Sequence, residues 1–358
     1  NMTVKWDGAP AIFAGIDPDD NKFFIAKKSV FNVEPKLYKT EAEIDADLSG
    51  NLNSKFKIAL KEFSKLGITG VLQGDLMFTD DVETTTIEGA KYYTFQPNTI
   101  VYAVPTDSTL GGVINRAKIG VVWHTTYTGS TLQDMKASFG ANISKLTKTS
   151  SVWMDDATYK DTSGTATFTS GENAEVTGHL SNAGKAFRQI NSAKLNKFLN
   201  LQNSLTGKLV GASLKTYNNS KVRKGEAIKN PKQHAAGYVT WVENHFAKEV
   251  DKLKTDKSKD VLRTKGREYA REFKKDLTNL EAVIAFQSHL VNAKMGIVKK
   301  LNSVKGLTDT FIKTKNGFKV TNPEGYVAID RVSGDAVKLV DRMEFSFNNF
   351  TAIKAWDK

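Results

Sequence analysis

Pro323-Glu324-Gly325-Tyr326-Val327-Ala328-Ile329, followed by Ala336-Val337-Lys338-Leu339-Val340, reads as a turn and two short strands near the end of a 358-residue chain. β-Branched and aromatic residues fill both runs, which is the composition a pleated, half-buried surface favours. What precedes them is helical. From about 182 to 304, Tyr238, Trp241, Val242, His245, Phe246, Val250 and Leu253 recur on one face, and Leu280, Phe286, Leu290, Val291, Met295, Val298 and Leu301 on another. Stripes at this spacing predict packed helices, with His245 and His289 as packed histidines rather than metal ligands. The start of the chain is strand-like again: Met2–Trp6, Ala11–Phe13, Lys22–Ala26, Gly70–Phe78, Thr99–Val104 and Ile119–Thr125, with one helix at about Leu52–Leu66. Residues 127–180 are rich in Thr, Ser, Gly and Asp and read as loops or short strands. The pattern predicts an α+β fold: a mixed or antiparallel sheet domain made from residues 1–180 and 316–358, with a helical module, 181–315, inserted between its halves.

The inserted stretch is also where the charge lies. Net charge is +12, and residues 181–315 hold 28 Lys and Arg against 11 Asp and Glu. That surplus of 17 exceeds the total, so the rest of the chain is net acidic. Such asymmetry points to a polyanion partner for the helical part, or to a lysine-rich solvated surface. There are no cysteines, which excludes disulfides, thiolate metal sites and cysteine nucleophiles and fits a reducing, cytoplasmic setting. No apolar run reaches the ~18 residues of a membrane span, and no secretory signal is present.

Three short strings carry chemical potential, each at a strand end. Lys5-Trp6-Asp7-Gly8 puts an amine beside a glycine that lets a ligand approach the backbone. An amine attacks phosphorus only in its neutral form, so neighbouring cations or desolvation must displace its proton. Gln73-Gly74-Asp75-Leu76-Met77 presents one carboxylate from a strand, and Glu324 and Lys338 sit in the two closing strands. Individually these are ordinary turn acids, a β-turn and an edge-strand lysine.

In this order, K-x-D-G, G-D-L-M, E-G-Y-V-A and a lysine in the next strand, the strings resemble the covalent nucleotidyltransferase superfamily of ATP-dependent DNA and RNA ligases and mRNA capping enzymes. The E-G-Y-V-A form is most similar to phage-type RNA ligases. The resemblance implies an ATP-grasp-like ligase domain and a residue-by-residue assignment. Lys5 would attack the α-phosphate of ATP and carry AMP, with Asp7 and Gly8 completing its motif. Lys27, Lys28 and Ser29 fall where the family has a basic and hydroxyl motif near phosphate or ribose. Asp75 stands in place of the usual glutamate that holds the ribose. Tyr102, or else Phe95, would stack on adenine. Glu324 would hold the catalytic Mg²⁺, and Lys338, helped by Arg342, would contact the α-phosphate.

Departures narrow the branch. The second lysine of the family's K-x-K motif is Val340 here, and the 16 residues after Arg342 are too few for the OB-fold domain of DNA ligases and capping enzymes. Four residues precede Lys5, which places any upstream pyrophosphate-binding residues outside this sequence. The expectation is therefore a ligase for RNA rather than DNA ends, with ATP and Mg²⁺ as cofactors, a nucleic-acid partner held by the basic helices and no membrane. It would act in the cytoplasm, that of the host if the protein is from a phage. The alternatives are a nucleotidyltransferase with a non-nucleic-acid acceptor and a non-catalytic binding protein that keeps the fold.

Overall fold

A computed structural model describes residues 1–161 and 166–352. Its strands are β1 (Met2–Lys5), β2 (Ala11–Ile16), β3 (Phe23–Ala26), β4 (Val71–Phe78), β5 (Glu83–Ile87), β6 (Ala90–Phe95), β7 (Ile100–Pro105), β8 (Ile119–Thr128), β9 (Lys136–Phe139), β10 (Val152–Asp155), β11 (Asp309–Thr314), β12 (Gly317–Val320), β13 (Gly325–Ile329) and β14 (Ala336–Leu339). The chain forms two units. One takes residues up to 161 and 304–340, and the other takes 166–303 and 341–351.

All the strands belong to the first unit, in three sheets. One runs β1-β13-β14, one runs β10-β8-β4-β2-β3 with β9 beside β8, and one runs β12-β11-β7-β6-β5. Every pairing is antiparallel except β10 with β8. The fold is thus α+β with mainly antiparallel sheets. Side-chain alternation along β4 gives the second sheet two different faces. Leu72 and Leu76 join Ile12, Ala14 and Trp123 in a core closed by Phe56, Ala59 and Phe63 of the helix Gly50–Phe63. Val71, on the other face, packs with Phe13, Phe24 and Val30. Asp75 shares that second face, at the end of the strand where Ala11 pairs with it.

The second unit is helical. α4 (Ser170–Arg188), α5 (Ser192–Asn203), α6 (Leu214–Arg223), α7 (Pro231–Asp251), α8 (Asp256–Lys275) and α9 (Leu277–Asn302) follow the three helices of the first unit, α1 (Glu41–Asp47), α2 (Gly50–Phe63) and α3 (Thr109–Arg116). Tyr238, Val242 and Phe246 of α7 meet Tyr269 and Phe273 of α8 and Leu280 and Ile284 of α9 in one core. α4 lies along α9, with Lys300 paired to Glu172 at 3.0 Å and the rings of Phe187 and Phe286 5.4 Å apart.

Several sequence expectations need correcting. The helical unit begins and ends earlier than 181–315. Thr169 and Glu172 form a reciprocal capping box that starts α4 inside the stretch read as loops. At the other end, residues 309–312 already pair with β7. Met343–Phe347, whose apolar–polar alternation reads as a strand, is helical. The Asp341 carboxylate accepts from the backbone N–H groups of Met343 and Glu344 and caps the turn, and the segment belongs to the helical unit. Leu290 and Val291, placed on a core stripe, are 39% and 40% exposed, and α9 buries Ala282, Ile284 and Ala293 instead.

Candidate active site

The antiparallel register of β1 and β13 places Lys5 opposite Gly325, so Glu324 arrives beside Lys5. The Lys5 ammonium and the Glu324 carboxylate form an ion pair. Lys338 of β14 pairs with Val327, which also faces Thr3. By the two-residue period of a strand, Lys338 therefore shares the face of the sheet that carries Lys5. Gly325 adopts φ +154°, and a Cβ there would run into the Leu339 carbonyl oxygen, so the strands meet at this point only because the residue is glycine.

Asp75 comes from the neighbouring sheet. The segment after Lys5 is clamped along β4 by Ala9 N–H to the Leu76 carbonyl (3.0 Å) and Leu76 N–H to the Pro10 carbonyl (3.1 Å). Gly8 makes this approach possible, since a side chain there would meet the Asp75 side chain and lie 3.1 Å from the Leu76 carbonyl oxygen. Burial pushes the Asp75 carboxyl up to about 7. Lys5 opposes that shift, and Glu324 and Asp7 add to it. Burial likewise pushes Glu324 up to about 7 against the pull of Lys5. Two carboxyl groups that exchange protons near neutrality thus flank one amine.

His124 completes the cluster. The pairing of β4 with β8 runs Gln73 to Thr125 and then Gly74 to Trp123, so His124 is an extra residue in β8. A bulge of this kind breaks strand alternation and re-aims a side chain. The His124 Nε2 lies 3.7 Å from an Asp75 carboxylate oxygen, and its Nδ1 is 2.8 Å from the Thr125 hydroxyl. Burial, with Lys5 and Lys338 nearby, pushes the imidazole down to about 4, so it is neutral at pH 7. Alternation counted from the sequence cannot place His124. The only signal is a histidine in the otherwise apolar run Val121-Val122-Trp123.

The Asp7 carboxylate is taken up by other partners. It accepts from Asn98 Nδ2 (2.6 Å) and from the backbone N–H groups of Thr99 and Ile100 (2.8 Å each). Burial raises its carboxyl, and these hydrogen bonds and Lys5 pull it back. Its backbone N–H donates to the Tyr102 hydroxyl at 2.6 Å. Asp7 therefore ties the Lys5 segment to β7.

Tyr102 is turned inward as well. It is 2% exposed, with its ring 5.0 Å from Trp6 and stacked at 5.6 Å on Phe95, itself 2% exposed. Neither aromatic has a free face for adenine. Lys27 is paired to Asp47 at 3.1 Å, which Lys36 and Tyr38 also engage. Lys28 is exposed. Ser29 has a buried hydroxyl without a hydrogen-bond partner among the described residues. β3 runs antiparallel to β2 from Phe23 opposite Ile16 to Ala26 opposite Phe13, so 27–29 leave the sheet toward the end where Ala11 meets Asp75. Arg342 belongs to the helical unit, where it donates to Asn219 at 2.7 Å.

Residues 1–354 match DUF6267, a family of unknown function, and the chain belongs to that family. No curated protein and no solved structure matches it. No helix among the described residues is long and apolar enough to cross a membrane.

Proposed function

We propose that the chain is an ATP-dependent polynucleotide ligase, favouring RNA over DNA ends, that works through AMP held covalently on Lys5. Its β-rich unit would be an ATP-grasp-like nucleotidyltransferase domain. The observation that carries the reading is the meeting of Lys5 and Glu324 in one ion pair, with Asp75 and Lys338 within electrostatic range of it. These four residues come from distant parts of the chain, in the order the resemblance requires.

Lys5 gives up a proton to Glu324, whose carboxyl is pushed up to about 7 and so can take one near neutrality. The freed nitrogen lone pair forms a bond to the α-phosphorus. The bond from that phosphorus to the bridging oxygen breaks, and its electrons leave with pyrophosphate. The second proton of the attacking nitrogen passes to solvent. Lys338 faces the negative charge that builds on the α-phosphate, the kind of fixed charge on which phosphoryl chemistry depends. AMP then moves to a 5′-phosphate end, and a 3′-hydroxyl displaces it to seal the strand.

Among the described residues no group of three or more His, Asp and Glu side chains is gathered as a metal cage. Mg²⁺ does not need one, because it is commonly held by one or two carboxylates with phosphate oxygens and water. Asp75 fits that requirement, a buried carboxyl that a divalent cation would ionise, and Glu324 would join it as a ligand once the proton taken from Lys5 has left. When bound there, Mg²⁺ would neutralise charge on the phosphates.

The test is labelling with α-³²P-ATP and Mg²⁺, read on a denaturing gel. The expected result is label on the chain that is lost in Lys5→Ala and reduced at least 10²-fold in Glu324→Gln, the usual loss on removing a general base. Label from GTP instead would indicate capping chemistry. Stable label with no joining of nicked or single-stranded substrates would indicate another acceptor. A chain that takes no label overturns the proposal.

A further inference from the structure

α7 and α8 of the helical unit enclose a groove of about 780 Å³. Its floor is apolar, with Phe246 and Val250 from α7 and Ala270 from α8. One wall is a ladder. Arg263, Arg267 and Arg271 recur every four residues along α8, and Lys274 and Lys275 continue the line. Residues four apart share a helix face and stand ~6 Å apart along the axis. The groove carries five cations against the two carboxylates of Glu243 and Asp251. Glu243 is engaged by Lys274 at 2.8 Å, and Arg263 is held by Asp260 at 2.9 Å. Arg267 and Arg271 are exposed and form no ion pair among the described residues.

We propose that this α7–α8 groove is a binding site for the phosphate backbone of a nucleic-acid strand. Arg267 and Arg271 would make the strongest contacts, with Arg263 and the terminal lysines at the ends of the track. Guanidinium forks match phosphate oxygens two at a time, which single lysine charges do not. The regular spacing suits a polymer with evenly repeated anions. From Arg263 to Lys275 the ladder covers ~18 Å, a span long enough to meet several successive phosphates of a strand. Contacts of this type position a strand without reading its bases. The choice of nucleic acid as ligand rests on the ligase reading. The groove itself does not depend on chemistry at Lys5.

The experiment uses the full chain and a fluorescent 20-nucleotide single-stranded RNA, with anisotropy titrations from 50 to 200 mM NaCl. Each lost phosphate contact removes ~0.7 from the slope of log affinity against log salt for a single strand. R263A/R267A/R271A is expected to weaken binding at least tenfold at 50 mM NaCl and to flatten the slope by about 2. A control that removes the same charge from exposed sites outside the groove, K185A/K215A/K229A, is expected to stay within threefold of the parent. R263K/R267K/R271K should keep most of the salt slope while losing affinity, because charge remains and the forks do not. Equal losses in the ladder and control variants overturn the proposal, as does competition by polyglutamate as strong as by unlabelled RNA, or no binding by the parent chain. Labelling of Lys5 is measured in the same preparations. Normal label with an unaffected salt slope in the ladder variant refutes the groove alone, and absent label with ladder-dependent RNA binding refutes the ligase reading alone.

Discussion

Replacing Asp7 separates an anchor from a catalyst. In Asp7→Ala, the backbone N–H groups of Thr99 and Ile100 lose their acceptor, and both residues are almost wholly buried, at 0% and 1% exposure. A buried donor left unmatched costs about 1–3 kcal/mol. Asn98 also loses a partner but is only partly buried and can turn to water. Against this, the variant no longer buries a carboxylate whose ionisation burial already disfavours. The net expectation is a loss of about 3 kcal/mol, which for a unit of this size lowers the melting temperature by roughly 6–12 °C. Asp7→Asn should behave differently. Its amide oxygen can still accept from Thr99 and Ile100, while its NH₂ faces Asn98. The Asn98 Oδ1 is buried without a partner among the described residues, so a flip of that amide supplies an acceptor. The cost should stay near about 1 kcal/mol, with Lys5 still able to take label. Urea unfolding followed by tryptophan fluorescence suits the measurement, because Trp6 packs against Tyr102 and Trp153 beside this anchor. An Asp7→Ala variant within about 1 kcal/mol of the parent, or an Asp7→Asn variant as unstable as Asp7→Ala, would refute the anchoring argument.

Other predictions follow from the same geometry. Asp75 and Glu324 titrate at about 7 in the folded chain, against ~3.9 and ~4.3 in an unfolded one. The folded state therefore binds more protons between about pH 4 and 7, and their contribution to stability falls as pH rises across that window. His124, at about 4 when folded against ~6.5 unfolded, has the opposite sign, its contribution being lost as pH falls from about 6.5 to 4. His124→Asn should thus steepen the gain in stability on acidification, and denaturant midpoints taken every half pH unit would reveal an unchanged slope if this is mistaken. Labelling of Lys5 should rise as pH passes about 7 and Glu324 ionises, and a flat profile from pH 6 to 8 would count against Glu324 as the proton acceptor. Gly8→Ala forces a methyl group against the Asp75 side chain and should cost about 1–3 kcal/mol while cutting labelling more than tenfold, measured by melting and by gel. Tyr102→Phe removes the acceptor of the buried Asp7 N–H and should destabilise by about 1–3 kcal/mol, yet leave the KM for ATP in labelling within twofold; a large rise in KM would restore Tyr102 as an adenine contact.

The parts legible in the sequence were those where side-chain period and local turn chemistry agree. β4 was expected at Gly70–Phe78 and runs Val71–Phe78, and the helix expected at Leu52–Leu66 runs Gly50–Phe63. The β5–β6 hairpin escaped notice because its Thr-rich strand is polar and its turn is Glu88-Gly89 rather than Asn-Gly, although both residues adopt the positive φ such a turn needs. α4 escaped because its first residues are polar and small, while Thr169 with Glu172 was the available clue. In the candidate site, the order of Lys5, Asp75, Glu324 and Lys338 could be read directly. Whether a side chain of those strings faces the Lys5 cluster or a core could not. Asp7 and Tyr102 turned inward through hydrogen bonds to partners about ninety-five positions away, and His124 turned toward Asp75 through a one-residue bulge.

The pairing of Lys5 with Gly325 sets an order of events during synthesis. β1 leaves the ribosome before the other strands of its unit, and the strand that supplies its neighbour and the Glu324 partner is made some 320 residues later. At ~5–20 residues per second, that leaves Lys5 without its ion-pair partner for roughly 15–60 s, long enough for the helical unit between them to fold first. Closing so distant a contact carries an entropic cost that grows only as the logarithm of the intervening length, so the delay is one of timing more than of stability. Nascent chains that stop short of β13 would carry the lysine without its carboxylate partner, and the cluster could form only once synthesis of the β-rich unit is nearly finished.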